Sequence, residues 1–291
     1  RYRLSKNHKL IRLHGCLELP YQEYDVFDFE KTGYEFKGWK DDDGNIYNAN
    51  STEYYKLTTK ESMTLKAIWE AQTYTISYYI GNASSTVGNK IIGTQECKYD
   101  ADCTLKSFSN IGVFPYSKED ETQNGAKNYG WSFYGWSNEA SDLTKEYDNE
   151  AKFKYEIAGP LKLYAIGVRQ MYFNGGTAPT ASYASPTQYW NPYGITDTYL
   201  TQVSIPDEKN ISSWDFVGYR CGSSEANSTV TLDASLAGTN YKVPYNKYPY
   251  TRSVYKRTIT LNYDANGGSG TTSSQTDTQY YNSGYDKNSA N

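Results

Sequence analysis

Gly33-Tyr34-Glu35-Phe36-Lys37-Gly38-Trp39 is the stretch that organises the rest of the chain. Trp131-Ser132-Phe133-Tyr134-Gly135-Trp136 repeats its order, and Trp214-Asp215-Phe216-Val217-Gly218-Tyr219 is a third, looser copy. Each copy reads aromatic, any residue, Phe, any residue, Gly, aromatic. In a strand, alternate residues share a face. Tyr34, Phe36 and Gly38 should therefore point one way, and Glu35, Lys37 and Trp39 the other. Phe36 is then the core candidate. Gly38 removes a side chain from the same face and leaves room for an aromatic neighbour against the backbone. Asp42-Asp43-Gly44-Asn45, just downstream, is a hairpin turn signal.

A second pattern trails each copy. Leu65-Lys66-Ala67-Ile68-Trp69 ends 30 residues after Trp39, and Leu163-Tyr164-Ala165-Ile166-Gly167 ends 31 residues after Trp136. The third copy is expected to end near Val254-Tyr255-Lys256-Arg257. On the first trailing strand, Leu65, Ala67 and Trp69 should share one face. A third pattern opens each unit: Tyr74-Thr75-Ile76-Ser77-Tyr78-Tyr79, then Gln170-Met171-Tyr172-Phe173-Asn174-Gly175-Gly176, then Thr258-Ile259-Thr260-Leu261-Asn262-Tyr263 before Asp264-Ala265-Asn266-Gly267-Gly268. Each is a β-branched or aromatic run ending at turn residues, the mark of a strand and a tight turn. Lys9 to Leu13 is the candidate equivalent in the first unit. The division that follows is 1–71, 72–168 with an insertion, 169–257 as a divergent copy, and 258–291 as a further beginning or a linker tail. No long helical periodicity is present. Short helices are expected at most over Glu23 to Lys31 and Ser141 to Lys154. The fold class is mainly β (α+β).

Among its 291 residues the chain has 32 Tyr, each able to bury a ring and keep its hydroxyl wet. Such residues suit thin sheets with small cores. A net charge of -4 does not fit the basic stripe that nucleic-acid binding needs. No run approaches the ~18 to 20 apolar residues that span a bilayer, so no direct membrane insertion is expected. Both ends read as cut from a longer chain.

Enzyme chemistry finds little to work with. His8 and His14 are the only histidines, so Ser–His and Cys–His arrangements have little to work with. The cysteines are Cys16, Cys97, Cys103 and Cys221, with no CxxC pair for zinc. Cys97 and Cys103 allow a local disulfide or two reduced thiols. Asp41, Asp42, Asp43 and Asn45 suggest calcium at first sight. Ile46 and Thr52 then fall where a calcium loop needs Gly and Glu, so a solvated turn is the better reading. No catalytic, cofactor or metal residue is assigned, and the chain is read as no enzyme. The one binding feature is aromatic. Tyr183, Tyr189, Trp190 and Tyr193 form one group, and Tyr245, Tyr248 and Tyr250 another, both interrupted by proline. Aromatics on irregular loops are typical recognition surfaces.

The string from Thr32 to Trp39, the Leu65–Trp69 ending, the opening run from Tyr74 to Asn82 and the run from Ile259 to Gly268 resemble the Listeria–Bacteroides repeat, also called the internalin B-repeat. The third copy departs from that pattern at Tyr219, where Trp is usual. The resemblance implies small β-grasp-like domains strung in tandem, in an elongated arrangement, within bacterial surface proteins. It implies an extracellular location on the cell surface of a bacterium. The function expected is adhesion or binding to a host or environmental protein or glycan. The alternatives are a purely structural spacer or stalk, and an accessory region of a secreted glycan-degrading enzyme.

Overall fold

The computed structural model describes residues 2–4, 10–12, 23–24, 30–48, 64–81, 90–114, 129–174, 185–193, 196–221, 230–247 and 249–282. The chain is mainly β. The strands are β1 (Tyr2–Leu4), β2 (Leu10–Arg12), β3 (Glu23–Tyr24), β4 (Tyr34–Lys40), β5 (Ile46–Asn48), β6 (Lys66–Ala71), β7 (Thr73–Ile80), β8 (Lys90–Lys98) and β9 (Asp102–Thr104). After the one-turn helix α1 (Phe108–Ile111) come β10 (Ser132–Ser137), β11 (Lys152–Lys154), β12 (Leu161–Gln170), β13 (Tyr172–Asn174), β14 (Thr187–Trp190) and β15 (Val203–Ser204). The last strands are β16 (Asp215–Cys221), β17 (Leu232–Asp233), β18 (Asn240–Tyr241), β19 (Tyr250–Leu261) and β20 (Gln275–Asn282). Ser141 to Glu150 forms turns and a bridge from Tyr147 to Trp136, not the expected helix. Backbone hydrogen bonds between Trp136 and Glu146 and Tyr147 hold this segment beside β10.

The three sequence copies adopt one pairing. β4 lies antiparallel to β6, β10 to β12, and β16 to β19. Phe36 faces Trp69, Phe133 faces Gly167, and Phe216 faces Tyr255. In each pair the register then slips by one residue between the Phe and the Gly. That slip is a β-bulge, with two residues opposing one. It corrects the simple alternation. The extra residue turns Trp39 onto the face of Phe36, and the two rings meet edge to face at 5.1 Å. Phe133 and Trp136 likewise meet at 4.9 Å, with tilted planes, and Phe216 and Tyr219 meet edge to face at 5.1 Å. The final aromatics are the buried ones, at 6% exposure for Trp39, 0% for Trp136 and 1% for Tyr219. Each such ring pair contributes about 0.5–1.5 kcal/mol beyond its buried area.

The glycine has a different role from the one its spacing suggests. A third strand approaches it: Gly38 faces Asn48 of β5, and Gly218 faces Asp233 of β17. A Cβ on Gly38 would lie 2.1 Å from the carbonyl oxygen of Tyr47, and one on Gly218 would lie 2.4 Å from that of Leu232. Their φ angles of 142° and 135° are also ones that L side chains rarely adopt.

The chain forms two compact units, which draw segments from separate sequence copies. Unit one comprises Arg1–Ser77, Thr94–Leu105 and Ala151–Leu161. It holds the sheets β1-β2-β3 and β5-β4-β6 and the ribbon β11-β9. The candidate opening strand of the first copy, β2, thus sits in a different sheet from β4 and β6. Cys97 and Cys103 are joined by a disulfide across the turn that leads into β9. The Tyr34 hydroxyl donates to Asp100 at 2.6 Å, Lys154 pairs with the same carboxylate, and Lys31 sits 3.6 Å over the Tyr34 ring. The turn after β4 is closed by Asp41. Its carboxylate accepts from the Asn45 amide at 2.8 Å, the Asn45 side chain at 2.9 Å and the Tyr47 hydroxyl at 2.9 Å. This carboxylate is spent on the turn, in keeping with a hairpin in place of a cation loop.

Unit two comprises Tyr78–Gly93, Lys106–Glu150 and Lys162–Asn291. It holds β10, β14, β12 from Lys162 on, the end of β7 from Tyr78 and the start of β8 to Gly93, which belong to the sheet of order β10-β12-β7-β8 with β14 also paired to β12. Another has the order β13-β19-β16-β17, with β20 also on β19, and a ribbon pairs β15 with β18. Phe108 of α1 stacks on Phe133 at 4.1 Å and closes the first core over Trp136. The second core gathers Met171, Phe173, Val203, Ile205, Tyr219 and Val243.

Two outcomes follow. Gly218→Ala should destabilise the protein by at least about 1–3 kcal/mol, the cost of holding a side chain at such a φ, before the clash is counted. Gly159→Ala, with open space and no positive φ, should change little; urea unfolding of both variants checks this. Second, the hydrogen bond from the Asn45 side chain, then its amide and Tyr47, hold the Asp41 carboxyl below its ordinary value of 3.8. A carboxyl lowered on folding stabilises above its unfolded pKa and loses that contribution as pH falls through the folded one. Asp41→Asn should therefore lower the unfolding midpoint at neutral pH, with the gap to the native chain closing below about pH 4.

Candidate binding surface

Strand alternation in unit two sends core residues inward and tyrosines outward. On β12, Leu163 and Ala165 are buried while Tyr164 between them is half-buried. On β7, Tyr78 and Ile80 are buried and Tyr79 is half-buried. On β14, Gln188 and Trp190 are buried and Tyr189 is half-buried. Tyr134 is the bulge residue of β10. The outer face of this sheet is accordingly lined by Tyr79, Tyr164, Tyr134 and Tyr189, with Tyr193 and Tyr199 just beyond β14.

These rings are paired. Tyr79 stacks on Tyr164 at 5.0 Å with 22° between planes. Tyr134 packs on Tyr189 at 4.7 Å, and Tyr193 on Tyr199 at 5.9 Å. The Lys145 ammonium lies 4.4 Å over the Tyr134 ring and bonds to Asp148 at 2.5 Å. Its stem crosses Gly135, where a Cβ would come within 2.4 Å of it. The glycine of the motif thus also seats this lysine. Partial burial, then the neighbouring Tyr79 and Tyr193, raise the Tyr164 pKa. Burial, then Tyr134, raise that of Tyr189. These hydroxyls stay protonated at neutral pH and offer both donors and acceptors beside flat apolar faces. Such a surface can stack on and hydrogen-bond a ligand. Among the described residues, no group of three His, Cys, Asp or Glu could hold a metal ion, and no helix is long and apolar enough to cross a membrane.

The aromatic groups named from sequence divide. Tyr189 and Tyr193 lie on this face. Trp190 does not: it is 0% exposed, stacks on Tyr245 at 4.7 Å and donates its indole N–H to the Thr196 carbonyl. Tyr245 is half-buried as the other half of that stack. Tyr250, 53% exposed, stacks at 5.0 Å on Tyr172 elsewhere in unit two. Tyr183 and Tyr248 lie outside the described residues. Sequence reasoning missed Tyr79, Tyr134 and Tyr164. The alternation in Leu163-Tyr164-Ala165 and Tyr78-Tyr79-Ile80 carried the signal for two of them.

Arg169 fixes the strand that carries Tyr189. It is 2% exposed and lies 4.4 Å from the Trp131 ring. Its Nε and Nη2 both donate to Gln188 Oε1, at 2.9 and 2.6 Å. Nη1 donates to the carbonyls of Lys247 at 2.7 Å and of Tyr129 and Tyr245 at 3.3 Å. Nη2 reaches those of Val243 at 3.1 Å and Pro244 at 3.0 Å. Trp131 adds its own bond to the Tyr245 carbonyl at 2.9 Å. A buried cation is tolerable only when its donors are filled, and here carbonyl dipoles and an amide fill them. Burial pushes the guanidinium pKa down to about 9, still above neutral pH, so the group stays charged.

Comparison with protein-family models, curated proteins and solved structures found no match.

Arg169→Lys should destabilise unit two by at least about 3 kcal/mol, because an ammonium cannot satisfy a fork of five carbonyls and one amide. Urea unfolding measures the loss, and near-ultraviolet circular dichroism should show the Trp131–Trp190 environment loosened.

Proposed function

We propose that this chain is a non-catalytic part of a bacterial surface protein, whose repeats bind a host or environmental protein or glycan through aromatic contact. One observation carries the reading: the paired tyrosines on the outer face of the β10-β12-β7-β8 sheet, held half-exposed over a rigid core. Tyrosine supplies large, stiff, amphipathic contact area at low entropic cost. The resemblance of the repeat strings to the internalin B-repeat supports an extracellular setting. A structural spacer is the second reading, favoured by the recurrence of the same bulged strand pair in three copies.

The test is binding of the purified chain to a glycan and mucin panel and to serum and epithelial proteins. The comparison is the variant Tyr164→Ser/Tyr189→Ser, which alters only outward-facing rings. The expected result is saturable binding that weakens at least about tenfold in the variant. Equal binding by both would take the site off this face. A folded chain with no saturable ligand would leave the spacer as the better account.

A further inference from the structure

In the two later copies the trailing strand lies between the Phe-x-Gly strand and an opening strand. β12 has β10 on one side and β7 on the other, and β19 has β16 on one side and β13 on the other. β13 runs parallel to β19, with Tyr172, Phe173 and Asn174 opposite Tyr250, Thr251 and Arg252. The opening strand β7 in turn has β8 on its far side.

The distal half of β19 begins this arrangement again. Thr258-Ile259-Thr260-Leu261 repeats the order of Thr75-Ile76-Ser77-Tyr78. It pairs with β20 along its whole length, from Thr258 opposite Thr278 to Leu261 opposite Gln275. Its other edge is open among the described residues: pairing with β16 ends at Lys256, and pairing with β13 ends at Arg252. The side chains tell the same story. Ile76 and Tyr78 are 0% exposed, and Ile80 is 6% exposed. Ile259, in the place of Ile76, is only half-buried, while Leu261 and Tyr263 are 50% and 54% exposed. The edge also carries no Pro or Lys from Thr258 to Tyr263, the residues that usually blunt an unpaired strand.

We propose that the open edge of Thr258–Leu261 is a docking site for a β-strand of the trailing type, supplied by another repeat of the same kind. The strand reads small residue, Ile or Val, as in Ala67-Ile68, Ala165-Ile166 and Ser253-Val254. It enters parallel to the edge, as β19 lies to β13. Its backbone fills the unpaired N–H and C=O groups, and its alternate side chains cover Ile259 and Leu261. Two copies of this same edge would meet antiparallel under a twofold axis, the wrong direction for the opening strand's partner.

The test uses the full chain and a fluorescently labelled peptide with the sequence of Leu161–Gln170, read by anisotropy against a scrambled peptide. Saturable binding is expected for the first peptide only. The variant Ile259→Lys/Leu261→Lys, which changes one half-buried and one exposed side chain, should bind at least about tenfold more weakly. Hydrogen exchange at Thr258–Leu261 should slow when the peptide is added, a readout independent of the variant. Equal binding of the scrambled peptide, binding unchanged in the variant, or sedimentation showing that the chain dimerises through this edge and excludes the peptide would each overturn the proposal.

Discussion

One extra residue between a phenylalanine and a glycine governs how this chain makes a core. Without the bulge, Phe36 and Trp39 would face opposite sides of a two-faced strand, and one large ring would stand in water. With it, both rings enter the same side and meet edge to face. The glycine that follows lets a third strand approach to backbone distance, so a small three-strand sheet closes over two aromatics. The device suits a chain rich in tyrosine and poor in branched aliphatics, because a ring pair supplies much buried area from few residues.

Sheets this small cannot each supply a thick core, and the chain answers by joining elements from neighbouring copies. Arg169 is the clearest case. It stands at the end of the second copy's trailing strand, yet its guanidinium gathers carbonyls from Val243 to Lys247, late in the third. Gln188 shares the task by accepting from the guanidinium and donating to the Val243 and Thr201 carbonyls. Trp131, Trp190 and Tyr245 pack around it. The polar centre and the aromatic stack thus hold β14 in register, and β14 carries Tyr189 on the outer face. The stability of the core and the shape of the candidate surface rest on the same contacts.

Much of this was legible from residue order. The recurrence of aromatic-x-Phe-x-Gly-aromatic and of its trailing strand marked the strands that pair, including the third, where Val254 and Tyr255 stand for Ile68 and Trp69. The Asp-Asp-Gly-Asn turn lay where the spacing put it. Period-two alternation did not foretell the bulge, because a bulge is specified by what the partner strand needs. The helix expected over Ser141 to Lys154 failed for a related reason: a strand partner beside Gly135 outweighs local propensity.

The sequence by itself determined the strand-forming runs, the turns and their repetition, since each depends on residues close together in the chain. Only the tertiary structure decided which aromatics serve the core and which the surface. Tyr189 and Trp190 are adjacent aromatics, but one faces water and the other lies under Tyr245. That choice is set by contacts from residues more than fifty positions away. The same holds for Arg169, whose partners are almost all backbone carbonyls, groups every residue has and no sequence pattern can mark.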